Sequence, residues 1–166
     1  MYKDIILIAH NLRSTHNVGS LLRTAEGIGV SKVFLTGYTP YPILDEDTRL
    51  PYIRERIEKK INKTALGANE YIKWEHAENI FVLLEKLKIE GYELVGLEQT
   101  NKAIDLKNFI SNNKIALLVG REVEGIEEDV LSKMSIIVNI PMLGQKESFN
   151  VVQAAAMALY KIRFIK

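Results

Sequence analysis

Three segments of the chain combine glycine with polar or charged residues, and each follows a run of apolar residues. In the first segment, Asn17, Gly19 and Arg23 stand at the beginning of a helical pattern. A helix N-terminus and an arginine guanidinium both bind phosphate or carboxylate groups. An ordinary helix start with a solvated arginine has the same residues, so this segment alone does not decide between a binding site and a cap.

The second segment carries Gly120 with Glu122, and the third carries Ser148, Phe149 and Asn150. Glycine at a strand end allows a ligand to approach the backbone closely. Turn formation and helix capping also account for these residue types. The chain has no P-loop, no Gly-x-Gly-x-x-Gly and no Gly-x-Ser-x-Gly sequence, which argues against nucleoside triphosphates, dinucleotides and a serine-hydrolase nucleophile.

Residue types that bind metals do not form a recognisable set. The chain has no cysteine, which excludes disulfides, thiolate zinc sites and cysteine nucleophiles. His10, His16 and His76 lack metal-ligand spacing and are expected on loop surfaces or partly buried. The acidic run 45–47 is expected to be a solvated turn. We therefore predict no metal site.

Short apolar runs alternate with helical patterns along the 166 residues. The helix between residues 18 and 28 is expected to have Asn17 as its N-cap and to end at Gly29, and residues 38–70 are expected to form a loop with a short helix. Strands are predicted at 5–9, 32–37, 71–74, 93–98, 114–120 and 135–140, and further helices at 79–91, after Glu127 and at 150–163. This alternation predicts one α/β domain, 1–166, with a mainly parallel sheet. Ligands of such sheets bind beyond the carboxyl ends of the strands, where the three segments fall.

In their order along the chain, the three segments resemble the motifs of the SpoU (TrmH-type) RNA 2′-O-ribose methyltransferases of the SPOUT superfamily. Asn17, Gly19 and Arg23 match the first motif, residues 118–126 the second, and residues 140–151 the third. Phe149 departs from the more usual Leu or Met. The resemblance implies a SPOUT fold, which is a mainly parallel sheet flanked by helices with a C-terminal trefoil knot.

The resemblance also implies the cofactor S-adenosylmethionine and a set of site residues. The implied cofactor-binding residues are Leu97, Gly120, Glu122, Ile140, Met142, Ser148, Phe149 and Asn150. The implied catalytic residues are Arg23, Asn17, Glu122, Ser148 and Asn150. Because a guanidinium stays protonated at ordinary pH, we expect Arg23 to anchor a phosphate and stabilise developing alkoxide charge rather than act as a base.

The implied activity is 2′-O-methylation of RNA by a homodimer, with tRNA favoured over rRNA as the substrate. A catalytically silent protein that binds RNA and S-adenosylmethionine, a base methyltransferase and a flavodoxin-like small-ligand binder are the alternatives. No segment reaches the ~18 consecutive apolar residues of a membrane helix. We expect a cytoplasmic protein without membrane contact.

The charge of the whole chain gives no sign of a nucleic-acid partner. Lys and Arg number 22 and Asp and Glu number 21, for a formal net charge of +1. RNA binding would therefore depend on a local basic cluster, doubled in a dimer. The candidate residues for that cluster are Arg13, Arg23, Arg49, Arg54, Arg56 and Lys59.

Overall fold

In the computed structural model, which describes residues 2–165, seven parallel strands form one sheet in the order β3-β2-β1-β6-β4-β7-β5. The strands are β1 Asp4–His10, β2 Lys32–Thr36, β3 Trp74–Ala77, β4 Glu93–Leu97, β5 Ile104–Asp105, β6 Lys114–Val119 and β7 Ile136–Asn139. The helices are α1 Thr15–Ile28, α2 Pro51–Ala65, α3 Ala68–Tyr71, α4 Ile80–Ile89, α5 Glu128–Leu131 and α6 Val151–Phe164. The predicted parallel α/β architecture is confirmed. None of the helices in the described part of the chain is long and apolar enough to cross a membrane.

The sheet is covered by apolar side chains on both faces. Strand β1 alternates between two core clusters: Ile5 and Leu7 belong to the cluster that includes α1 and α6, whereas Ile6 and Ile8 belong to the cluster that includes α4. Strands buried on both faces are expected to be continuously apolar, as β1 is. Strand β4 pairs in parallel with both β6 and β7. The carboxyl ends of these three strands therefore lie side by side.

Three predictions about local structure are wrong. The N-cap of α1 is Ser14, whose side chain accepts a hydrogen bond from the Asn17 backbone N–H, so Asn17 lies inside the first turn. Residues 51–65 form a long helix, α2, rather than loop, and β3 lies at 74–77 rather than 71–74. Pro51 at the first helical position favours this helix start. Its apolar pattern is weak because only Ile61 and Ala65 are buried in it.

The acidic run before α2 also differs from the prediction. The side chain of Asp47 is 1% exposed and pairs with Arg49, and hydrogen bonds from Arg49 lower the pKa of this carboxyl far below its usual value. The Arg49 guanidinium also donates to the carbonyl groups of Tyr41 and Pro42, and Arg54 donates to the carbonyl of Asp47. The side chains of these two arginines therefore form hydrogen bonds within the chain that hold the 41–54 segment in place.

Gly19 allows α1 and α2 to pack in close contact. A Cβ atom at Gly19 would lie 2.2 Å from the carbonyl oxygen of Ile61 and 2.3 Å from Thr64 Oγ1. The Thr64 hydroxyl donates a 2.8 Å hydrogen bond to the carbonyl of His16. The glycine of the first segment is thus required for packing, and it fixes α2 against the first turns of α1.

We expect the substitution Gly19→Ala to destabilise the fold by about 1–3 kcal/mol, because the added methyl group overpacks the α1–α2 contact. Thermal unfolding measures the effect, at about 2–4 °C per kcal/mol for a chain of this size. Gly27→Ala is the matched control, since Gly27 is in the same helix and a Cβ there meets nothing within 4 Å. The control should be neutral or stabilising. Equal melting temperatures for the two variants would contradict the packing role of Gly19.

Candidate active site

An open cleft lies at the carboxyl ends of β4, β6 and β7, where open parallel sheets bind ligands. About 630 Å³ of space, part of it open to solvent, lies between its walls. It is lined by Leu97, Glu98, Gln99, Val119, Gly120, Arg121, Glu122, Val123, Gly125, Asn139, Ile140, Ser148, Phe149, Val151 and Ala154. Six of the eight predicted cofactor-binding residues therefore line it, namely Leu97, Gly120, Glu122, Ile140, Ser148 and Phe149.

One wall of the cleft is a tight loop, residues 120–126, that the two glycines make possible. A Cβ at Gly120 would lie 2.7 Å from atoms of Gly125 and Ile126. Gly125 has a φ of +71°, and a Cβ there would lie 2.1 Å from Glu98 Oε2. The carboxylate of Glu98 accepts hydrogen bonds from the backbone N–H groups of Ile126, at 2.8 Å, and of Gln99, at 2.8 Å. The loop is thus folded onto the end of β4, a role of Glu98 that the sequence patterns did not reveal.

The Glu122 carboxylate connects this loop to the beginning of α1. Its Oε1 accepts hydrogen bonds from the backbone N–H of Ser14 and from Asn17 Nδ2, both at 3.0 Å. Its Oε2 accepts a hydrogen bond from the backbone N–H of Arg13 at 3.2 Å. A carboxylate at a helix N-terminus also interacts favourably with the helix dipole. The first and second segments therefore meet at Glu122.

These hydrogen bonds keep Glu122 ionised. Partial burial raises the pKa of its carboxyl group, but the hydrogen bonds from Ser14, Arg13 and Asn17 outweigh burial, and the pKa lies below its usual value. Glu122 is therefore an acceptor at neutral pH and does not supply a proton.

The third segment joins the same cluster through Asn150. This residue is the N-cap of α6, and its Oδ1 accepts a hydrogen bond from the Val152 backbone N–H at 2.9 Å. Asn150 Nδ2 donates to Asn17 Oδ1 at 3.3 Å. The chain Glu122–Asn17–Asn150 thus links all three segments at the rim of the cleft.

Four of the predicted site residues are not part of the cleft lining: Asn17 and Asn150 lie at its rim, and Arg23 and Met142 lie outside it. Arg23 is exposed and lines a separate shallow depression, together with Ser20, Thr24, Gly27, Ile28 and Thr64. Met142 is half-buried and is not part of the cleft lining. Asn17 and Arg23 are six residues apart in α1, which corresponds to roughly 9 Å along the helix axis.

A second polar cluster lies at the carboxyl ends of β1 and β2. His10 is 4% exposed, so its prediction as a loop-surface or partly buried residue is wrong. Asn11 Nδ2 lies 3.1 Å from His10 Nε2 and donates to Glu127 Oε1 at 2.8 Å, and His10 Nδ1 lies 2.8 Å from Thr36 Oγ1. Burial lowers the pKa of His10 even though Glu127 opposes it. The cluster anchors the end of the 120–127 loop to β1, and an isolated histidine in the sequence gave no sign of it.

The part of the chain that the structure describes holds no group of three or more His, Cys, Asp or Glu side chains that could bind a metal ion. The charged groups of the cleft are instead two carboxylates, Glu98 and Glu122, and the guanidinium of Arg121. Apolar side chains surround them on the walls formed by β4, β6, β7 and α6. This composition suits a ligand that has both an uncharged ring system and positively charged groups.

The fold of this chain is similar to the folds of solved structures that are described as RNA methyltransferases. The AdoMet-bound rRNA methyltransferase from Sinorhizobium meliloti superposes with a TM-score of 0.79 at 18% identity, over 97% of this chain and 56% of that one. A protein described by the 2-OH methylation of C/U34 on tRNA superposes with a TM-score of 0.76 at 22% identity, over 96% of this chain and 93% of that one. These similarities establish the fold class.

The family follows from the sequence. Residues 4–160 match the model of the SpoU rRNA Methylase family, and the chain belongs to this family. The chain is also 27% identical over 163 residues to the tRNA (guanosine(18)-2′-O)-methyltransferase of Borreliella burgdorferi, covering 95% of this chain and 65% of that protein. It therefore spans less than two thirds of that relative's length. The resemblance inferred from the three segments is confirmed.

We expect Glu122→Gln to lower the free energy of unfolding by roughly 1–2 kcal/mol at pH 7, because an amide accepts fewer of the three hydrogen bonds at a partly solvated site. The pKa of Glu122 is lower in the folded state than its ordinary value, so the carboxylate stabilises the fold above an unfolded-state pKa of about 4.3. That stabilisation is lost as pH falls through the folded-state pKa. Denaturant unfolding at several pH values measures the effect, and the difference between the variant and the wild type should disappear in acid.

Glu124→Gln is the control for this experiment. Glu124 is on the same loop and forms an exposed ion pair with Arg13 at 3.0 Å, which is worth less than about 1 kcal/mol. If Glu122→Gln were no more destabilising than Glu124→Gln at pH 7, Glu122 would not hold the loop to α1.

Proposed function

We propose that this protein is an S-adenosylmethionine-dependent RNA 2′-O-ribose methyltransferase that acts on tRNA. One observation carries the proposal: the family's three characteristic segments converge through Glu122, Asn17 and Asn150 at the rim of one cleft. Family membership and the likeness to an AdoMet-bound rRNA methyltransferase support it.

The cleft residues fit S-adenosylmethionine. Leu97, Ile140 and Phe149 offer apolar surface for an adenine ring, and Gly120 lines the cleft at the end of β6. Glu98 and Glu122 place carboxylates beside a ligand that carries positive sulfonium and ammonium groups. When bound, the cofactor supplies an electrophilic methyl group.

The residues of this chain then have to position a ribose and allow the proton of its 2′-hydroxyl group to leave. Methyl transfer to the 2′-oxygen would break the bond between the methyl carbon and the sulfonium sulfur and leave a neutral thioether, and an acceptor would have to take the proton of the hydroxyl group. Glu122 is committed to three hydrogen bonds from α1, and we propose that a phosphate oxygen of the RNA or a water molecule is the acceptor. Asn17 and Asn150 lie where they could orient the sugar.

Arg23 has a role outside the cleft in this proposal. Its exposed position, about two turns of α1 beyond Asn17, suits a phosphate adjacent to the methylated ribose. A guanidinium donates two parallel hydrogen bonds to a phosphate, and its charge stabilises the developing negative charge on the 2′-oxygen.

The relative from Borreliella burgdorferi is described as a tRNA methyltransferase, and it supports tRNA as the substrate. We also propose that residues 1–166 act as one methyltransferase domain, that two copies form a homodimer, and that the C-terminal part is threaded as the trefoil knot of the SPOUT fold. The exposed side chains of Met157, Tyr160 and Phe164 on α6 support pairing of two copies.

Incubation of the protein with labelled S-adenosylmethionine and with tRNA or rRNA tests the activity, followed by nucleoside analysis. We expect 2′-O-methylnucleosides in tRNA. Label in rRNA alone would make the protein an rRNA methyltransferase. Label in a base would contradict ribose methylation, and absence of any product despite cofactor and RNA binding would leave a silent binding protein.

Arg23→Lys tests the proposed role of the guanidinium. Lysine keeps the positive charge but loses the paired donors, so we expect kcat/KM for tRNA to fall by about 10–100-fold, which corresponds to about 1.4–2.7 kcal/mol of transition-state stabilisation. The affinity for S-adenosylmethionine, measured by calorimetry, should not change because Arg23 lies outside the cleft. Near-full activity of this variant would contradict the role of the paired donors.

A further inference from the structure

The outer face of α2 carries a cluster of positive charge that the proposed chemistry does not use. We call this surface the α2 basic face, and it consists of Arg56, Lys59, Lys60 and Lys63. All four side chains are exposed, on the side of α2 opposite to the buried Ile61 and Ala65. Helical periodicity explains this separation, because Arg56, Lys59 and Lys63 follow one another at steps of three and four residues.

The α2 basic face does not include Arg49 and Arg54, whose side chains form hydrogen bonds within the chain. Arg49 and Arg54 are occupied with Asp47 and nearby carbonyl groups, so the structure removes them from the predicted RNA-binding cluster. Within the part of the chain that the structure describes, Arg56, Lys59, Lys60 and Lys63 form no ion pair or side-chain hydrogen bond. Their charges are available to a partner.

The spacing of these charges is unfavourable for an isolated helix. Arg56 with Lys60, and Lys59 with Lys63, are like-charged pairs four residues apart, and such pairs destabilise a helix. Helix α2 contains two acidic residues, Glu55 and Glu58. Glu55 is exposed, whereas Glu58 accepts a hydrogen bond from the Ile43 backbone N–H at 2.7 Å. A polyanion bound along this face would offset the repulsion.

The helix that carries the α2 basic face packs against α1, whose first turn contributes to the candidate active site. Thr64, next to Lys63, donates its hydroxyl to the carbonyl of His16 at 2.8 Å. His16 immediately precedes Asn17, whose side chain binds Glu122 at the cleft rim. The C-terminal end of α2 is therefore packed against the turn of α1 that contributes to the site. From there, the positions between Lys63 and Tyr52 extend over about 16 Å of helix.

We infer that the α2 basic face binds the phosphate backbone of the substrate RNA on one side of the methylated ribose. The inference rests on the proposed function for the identity of the polyanion. Lysine and arginine side chains with mobile, unpaired charges give affinity that is independent of sequence and strongly dependent on salt. Tyr52, 65% exposed at the beginning of α2, adds a ring on which an unpaired base can stack. The face thus compensates for the low net charge of the chain.

The test uses the triple variant Arg56→Gln, Lys59→Gln, Lys63→Gln of the full chain and unmodified tRNA as the probe. Binding is measured as a function of salt concentration. The loss of three phosphate contacts should reduce the slope of log K against log salt by about 2–3 and raise the Kd by at least about tenfold at 0.1 M salt. The affinity for S-adenosylmethionine should remain that of the wild type.

Two further variants separate this surface from a general charge effect. The control Lys86→Gln, Lys88→Gln, Lys133→Gln removes the same charge from exposed positions elsewhere and should change the slope by much less. The charge-preserving variant Arg56→Lys, Lys59→Arg, Lys63→Arg should retain the wild-type slope. If the basic-face triple variant and the control had the same salt slope, the inference would be overturned.

These experiments distinguish a failure of the inference about the α2 basic face from a failure of the proposed methyltransferase activity. Wild-type protein that binds tRNA with the expected dependence on the α2 basic face, but transfers no methyl group, would overturn the activity and support this surface. Methyl transfer with no difference between the two triple variants would overturn this surface and support the activity. A wild-type protein that does not bind RNA would overturn both.

Discussion

The Glu122 carboxylate holds two distant parts of the chain together, and the geometry of the cleft depends on this contact. Its three acceptor bonds fix the first turn of α1 relative to the loop after β6. A partly buried carboxylate costs desolvation energy, and the hydrogen bonds from α1 repay that cost. Because Asn17 uses its remaining oxygen for Asn150, the same contact also fixes the beginning of α6. Removal of the carboxylate would separate the beginning of α1 from the loop after β6.

Close packing supplies the rigidity that this contact requires. Gly19 allows α2 to lie against α1, and Gly120 and Gly125 allow the loop to fold onto Glu98. None of these positions has room for a Cβ atom, so the glycines are required for close packing of the backbone rather than for flexibility. The buried cluster of His10, Asn11 and Glu127 holds the other end of the loop to β1. The backbone around the site is therefore held by close contacts and hydrogen bonds on both sides of the loop.

The sequence predicted the fold well where one residue pattern dominates. Continuous apolar runs predicted β1, β4, β6 and β7, and the helical spacing of apolar residues predicted α4 and α6. Helix α2 was missed because most of its residues face solvent, so its apolar period is weak. The resemblance placed six cofactor residues at the cleft, but it could not show that Arg23 lies outside it. Buried partners such as Asp47 with Arg49 depend on tertiary contacts that no local pattern contains.

The most direct test of this account is a double-mutant cycle between Asn17 and Glu122. Asn17→Ala, Glu122→Gln and the double variant are compared with the wild type by denaturant unfolding at pH 7. Since the two side chains are in contact, the account predicts a coupling energy of about 0.5–3 kcal/mol. The same cycle with Asn17→Ala and Glu124→Gln should be additive. Additivity in both cycles would contradict the claim that the Glu122 carboxylate joins α1 to the cleft.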